Sequence, residues 1–198
     1  MKRDRTIRIG GASGFWGDSA MSVPQLLRAG VDYLIFDYLA EITMSIMARA
    51  RARDASLGYA VDFVSVVAAN LPAVVAGRVR IVANAGGINP RACADALRAA
   101  IAQAGYDLKV AVVVGDDLMD RADALRRQGV VEMFDGRPLP ETLLSMNAYL
   151  GARPIAAALA AGADIVVTGR CADSAVALGP LMHEFGWGDE DWDRLSQG

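Results

Sequence analysis

The sequence predicts an α/β fold: a mostly parallel sheet, doubly wound, with helices on both faces. Three observations carry this. Five short β-like runs stand apart along the chain, at residues 6–10, 33–38, 79–83, 109–114 and 164–168. The middle runs are continuously apolar rather than alternating, as in strands covered on both faces. Segments of helical periodicity lie between them, and alternating β and α units imply parallel strands joined by crossovers. The alternative is part of a (β/α) barrel, of which five units would be too few for a closed eight.

In chain order, the first run leads into a glycine-rich stretch, and the second carries Leu34-Ile35-Phe36. Residues 61–77 predict a buried helix with a break, because Asp62, Asn70 and Pro72 interrupt an apolar window. The clearest helix spans residues 91–104. There Cys93, Ala96, Leu97, Ala100, Ile101 and Ala104 form one apolar stripe. Asn89 suits its N-cap and Pro90 its first turn. Leu118, Ala122 and Leu125 make a shorter stripe, with Asp117 as an N-cap. Residues 130–141, with Asp135-Gly136 and two prolines, predict an inserted hairpin or loop. An alanine-rich helix at 154–161 ends at Gly162. Gly179-Pro180 predicts a helix break before His183.

Composition bounds the function. The 198 residues are 54% hydrophobic and 22% charged, enough for one well-cored domain over 1–198 and too apolar for a disordered chain. A net charge of −3 gives no general case for nucleic acid or an anionic membrane. The most membrane-like window, 61–77, carries Asp62 and Pro72 and falls short of a span. No apolar run follows Met1-Lys2-Arg3-Asp4-Arg5, so the expected compartment is the cytoplasm. Two cysteines without CxxC spacing and a single histidine, His183, argue against zinc, and no metal site is expected. No cofactor is identified. The ending after Gly186-Trp187-Gly188 looks like the approach to another element, so a longer parent domain is expected.

The chemistry gathers in the loops after the strands, which share one edge if the strands are parallel. In the first loop, Gly11, Gly14 and Gly17 spell GxxGxxG, neither a dinucleotide fingerprint nor a Walker A loop. Gly11, Ser13 and Gly14 are candidate ligand contacts beside the stacking surfaces of Phe15 and Trp16; the plainer reading is a tight turn. Asn84, Gly86 and Gly87 could offer amides to an anion. Asp37 with Glu41, and Asp116 with Asp117, are carboxylate pairs at strand ends, of a kind that could hold Mg²⁺ or act as acid and base. Asp37 directly follows an apolar strand, where desolvation perturbs a carboxylate. Cys171 stands beside Arg170 before a predicted helix, which would favour a thiolate; the plainer reading is a small buried residue. Any histidine partner would have to be His183. Arg49 and Arg53 share a helix face that could meet an anionic tail.

Together these segments resemble the N-terminal domain of the acyclic terpene utilisation (AtuA) family. The matching blocks are residues 10–19, 32–41 running into 44–63, 81–90 and 146–187. The most distinctive are Asn147-Ala148-Tyr149-Leu150-Gly151-Ala152 and Thr168-Gly169-Arg170-Cys171-Ala172-Asp173-Ser174. The resemblance covers nearly the whole chain, and family domains are longer. It implies a part in breaking down branched acyclic terpenes such as citronellol and geraniol, a route that runs through acyl-CoA thioesters. It carries over no catalytic residues. Combined with the strand-end positions, it suggests a lyase or hydratase on a branched acyl-CoA or hydroxy acid. Asp37 or Asp173 would act as acid or base, Cys171 is a further catalytic candidate, and Arg170 would pair with a carboxylate or phosphate. The alternative is a non-catalytic ligand-binding or assembly subunit. In either case a homo-oligomer or a pairing with another subunit is expected.

Overall fold

A computed structural model describes residues 6–198. The charged start, residues 1–5, lies outside the described residues.

Five strands form one open sheet: β1 (Ile9–Ser13), β2 (Tyr33–Phe36), β3 (Arg80–Ala83), β4 (Val110–Val113) and β5 (Ile165–Thr168). Their order is β1-β2-β3-β5-β4, and every pairing is parallel. All five expected runs therefore become strands. The first is displaced, from the expected 6–10 to Ile9–Ser13. The glycines expected in a loop thus lie in an edge strand, with Gly10 and Gly11 opposite Leu34 and Ile35. Helix α1 (Ser22–Ala29) packs closely there, since a Cβ on Gly10 would lie 2.9 Å from Leu26 Cδ2.

Alternation along each strand divides the core. Leu34, Ile81 and Ile165 are in register and buried on one face. Val82 and Val166, one residue on, pack into the other. The first face is covered by α1, α3 (Val61–Gly77) and α4 (Pro90–Gln103), which contribute Val23, Phe63, Val67, Leu71, Cys93, Leu97 and Ile101. The second is covered by α6 (Arg153–Ala160) and α7 (Ala175–Phe185), through Ile155, Leu159, Val176 and Met182. Helix α2 (Glu41–Arg53) precedes α3, and α5 (Ala122–Arg127) follows a 3₁₀ turn at Met119–Arg121. A short α8 (Trp192–Leu195) follows α7.

Two expected helix breaks do not occur. Helix α3 runs through Pro72 and α7 through Pro180. Pro72 is exposed, while Phe63, Val67, Leu71 and Val74 anchor the opposite side of the helix. In α7, Gly179 meets α6 so closely that a Cβ there would lie 2.4 Å from Ile155 Cγ2. In both helices, burial on the flanking turns offsets the hydrogen bond that proline cannot make. Residues 130–141 form the expected hairpin-like excursion, with an antiparallel bridge between Val131 and Pro138.

Candidate functional site

The chain moves outward from β1 to β4 and then reverses, placing β5 between β3 and β4. Consequently β3 leads into α4 on one face, while its neighbour β5 leads into α7 on the other. At such a reversal the two loops diverge and leave a crevice outside the carboxyl ends of the strands. The base of this crevice is pinned. Gly86 N donates to Thr168 O at 3.1 Å. A Cβ on Gly86 would lie 2.4 Å from that carbonyl, and one on Gly169 would lie 2.4 Å from the Asp116 carboxylate.

Asn84 directly follows β3 and is wholly buried. Its Oδ1 accepts from Tyr38 N at 2.7 Å, and its Nδ2 donates to Asp37 Oδ1 at 2.5 Å. This fixes both the amide and the half-buried Asp37 carboxylate. Burial pushes the Asp37 carboxyl above its usual range. The Asn84 hydrogen bond pulls it back, nearby Asp173 pushes it up again, and Arg170 pulls it down.

The Arg170 side chain is only 5% exposed. Its Nη1 donates to Cys171 O at 2.9 Å and to Asp173 Oδ1 at 3.0 Å. Its Nη2 lies 3.6 Å from Glu41 Oε1, and its guanidinium sits 4.0 Å from the centre of the Tyr149 ring. The Tyr149 hydroxyl donates to Glu41 and closes the circuit. Arg170 therefore finds its carboxylates within the chain.

The structure brings Asp37, Asn84, Arg170, Cys171 and Asp173 to one crevice. Cys171 is buried, and burial pushes its thiol up, against a lowering contact from Thr168 Oγ1 at 3.6 Å. Helix α7 begins at Ala175, four residues after Cys171. His183 contacts Arg80 Nη1 at 2.8 Å. Arg80 opens β3, so His183 lies at the opposite end of the sheet from Cys171.

The glycine candidates have structural duties. Gly86 and Gly87 are buried, and their amides donate to Thr168 O and Asn84 O. In the first loop, Ser13 Oγ donates to Phe15 O, and Gly14 N donates to Asp18 Oδ2 at 3.1 Å. Asp18 thus meets the Gly14 amide with a carboxylate of the chain itself, while Gly11 lies in β1 opposite Ile35. Trp16 packs on the core, where its Nε1 donates to Asp62 Oδ1 at 2.7 Å. Asn89 makes no side-chain cap; it donates instead to Ala55 O and Leu57 O. Asp117 accepts from Met119 N, two residues on, but the turn at Met119–Arg121 has Leu118 at its N-cap and no side-chain cap, so the expected capping role is not met.

Sequence reasoning missed the segment that roofs this edge. Leu118 N donates to Met146 O, Ala148 N to Asp116 O and Leu150 N to Arg170 O, so residues 146–150 bridge the β4 and β5 loops. Asn147 Nδ2 donates to the buried Asp116 Oδ2 at 2.9 Å, and Arg170 N donates to the same oxygen at 2.8 Å. Burial raises the Asp116 carboxyl, against those two hydrogen bonds. The distinctive Asn147-Ala148-Tyr149 block was the one available signal. Beneath the roof lies a cleft of about 400 Å³, with Met44, Leu144, Tyr149 and Arg170 among its walls. Of the three arginines on α2, Arg51 reaches the site, donating from Nη1 to Ile88 O at 2.6 Å.

A raised carboxyl binds its proton more tightly folded than unfolded, so its contribution falls as pH climbs from the unfolded pKa through the folded one. Asp37→Asn removes that penalty and keeps an acceptor for Asn84. We expect the melting temperature to rise at pH values above the ordinary aspartate range. The difference should vanish as pH falls towards the ordinary aspartate range. Melting curves across pH check this; a variant less stable than the native protein at pH 7 contradicts the burial penalty.

Among the described residues, no cluster of three or more His, Cys, Asp or Glu could hold a metal ion. No described helix is long and apolar enough to cross a membrane. The model of one protein family, described as acyclic terpene utilisation family protein AtuA, matches residues 7–198. No curated protein and no solved structure matches the chain.

Proposed function

The chain belongs to the acyclic terpene utilisation (AtuA) family, and from that premise we propose that it acts on a branched acyl-CoA or hydroxy-acid intermediate of terpene breakdown, as a lyase or hydratase. The observation that carries the reading is the half-buried Asp37, raised by burial and aimed by Asn84, beside Arg170 and Asp173 at the sheet reversal.

In the dehydrating direction, Asp37 gives its proton to the departing hydroxyl as the C–O bond breaks. Asp173, anchored by Arg170, takes the proton from the neighbouring carbon, and the double bond forms between the two carbons. Arg170 is already flanked by Asp173 and Glu41, so a neutral carbonyl suits it better than a further anion. Two buried free cysteines, Cys93 and Cys171, agree with a reducing compartment and hence the cytoplasm.

The test is a thermal-shift titration of the natural full-length protein with geranyl-CoA, citronellyl-CoA, coenzyme A, ATP and NAD. A thioester at about 100 times its Kd should add about 2.7 kcal/mol, several degrees. With a substrate in hand, Asp37→Asn should cut turnover roughly 100-fold or more. Full turnover in both Asp37→Asn and Asp173→Asn would sink the assignment.

A second reading, an assembly subunit, draws on the hairpin tip, where Met133 and Phe134 are 84% and 86% exposed. A native protein that turns over substrate as a strict monomer in sedimentation removes it.

A further inference from the structure

Beside the cleft beneath the roof lies a second cavity, of about 310 Å³, along α2. The two share Ala48, Leu144, Ser145 and Asn147 as walls, so they adjoin there. On α2, Met44, Ala48 and Ala52 follow one another at four-residue spacing and line a single stripe. From Met44 to Ala52 the helix rises on the order of 12 Å. Beyond Ala48 the floor is apolar, with Ala52, Ile88 and Met119. Arg51 and Asp117 also line that end, each with one polar atom held by the chain: Arg51 Nη1 donates to Ile88 O, and Asp117 Oδ1 accepts from Met119 N. The far end thus offers apolar surface, while the near end carries Arg170, Glu41 and Tyr149.

We propose that this groove seats the acyl chain of the ligand, its carbonyl end at Arg170, and that the small side chain of Ala48 sets the chain length accepted. The proposal rests on reading the crevice as an acyl-thioester site. Ala48 contributes only a methyl group to the wall that the two cavities share, and it is otherwise packed into the core. A larger side chain there closes the second cavity and leaves the first in place. Ser145 also lines both cavities, on a loop that accepts bulk more readily than a helix packed on the core.

The experiment measures binding of butyryl-, octanoyl- and dodecanoyl-CoA to the natural full-length protein by calorimetry, with coenzyme A alone as the control. Native affinity should rise at least roughly tenfold from butyryl to octanoyl, as apolar surface is buried. Ala48→Leu should remove that gain, weakening the two longer thioesters roughly tenfold and butyryl-CoA by less than about threefold. Ser145→Phe should reproduce the same selective loss, and it decides the matter if Ala48→Leu fails to fold. If thioesters bind but neither folded variant discriminates by length, the groove assignment falls and the crevice reading survives. If none of the three thioesters binds more tightly than coenzyme A, the crevice reading falls and takes the groove with it.

Discussion

Replacing Gly86 by Ala should lower the unfolding midpoint by roughly 6–12 °C, a loss of about 3 kcal/mol for a chain of this length. The new Cβ would lie 2.4 Å from Thr168 O and 2.6 Å from Pro90 Cβ, closer than atoms can sit. Neither neighbour yields cheaply. Thr168 O belongs to the last residue of β5, and Pro90 opens α4. Relief requires the β3 and β5 loops to part, which breaks the Gly86 to Thr168 hydrogen bond and disturbs Asn84 two residues upstream. Gly151→Ala is the matched control, because its Cβ would meet nothing within 4 Å. Thermal melts followed by circular dichroism compare the two. A Gly86→Ala protein melting within about 2 °C of the native one would mean that the loops are not pinned as described.

Arg170→Ala should cost about 3 kcal/mol, read as a shift of the urea midpoint at constant slope. The loss combines three things: a guanidinium packed almost out of solvent, its hydrogen bonds to Cys171 O and Asp173, and its stacking on Tyr149. Asp173 and Glu41 are 66% and 80% exposed and regain water when Arg170 is removed, so the cost stays below that of breaking a wholly buried ion pair. Arg170→Lys should recover less than half, because an ammonium supplies charge without the planar fork that faces Tyr149, Asp173 and Glu41 together. Equal stability of Arg170→Lys and the native protein would show that only the charge matters.

Much of this architecture could be read from local sequence. An apolar run such as Leu34-Ile35-Phe36 or Ile165–Thr168 announces a strand covered on both faces, because each face needs its own apolar residues. The stripe through Cys93, Leu97 and Ile101 announces α4 by the same reasoning at helical period. Once the strands are parallel, Asp37, Asn84 and the 168–174 loop must share an edge. Local reasoning failed where packing overrides propensity: Pro72 and Pro180 lie inside continuous helices, and glycines 10 and 11 lie inside β1.

The sequence by itself therefore determined the class of fold, the strand segments and the edge on which polar loops collect. Only the tertiary structure decided that β5 inserts between β3 and β4. The apolar runs of β4 and β5 are interchangeable to any local pattern, since strand order depends on contacts between residues far apart in the chain. That order sets the 168–174 loop beside Asn84 and Asp37, and it lets residues 146–150 cross over the crevice to stack Tyr149 on Arg170.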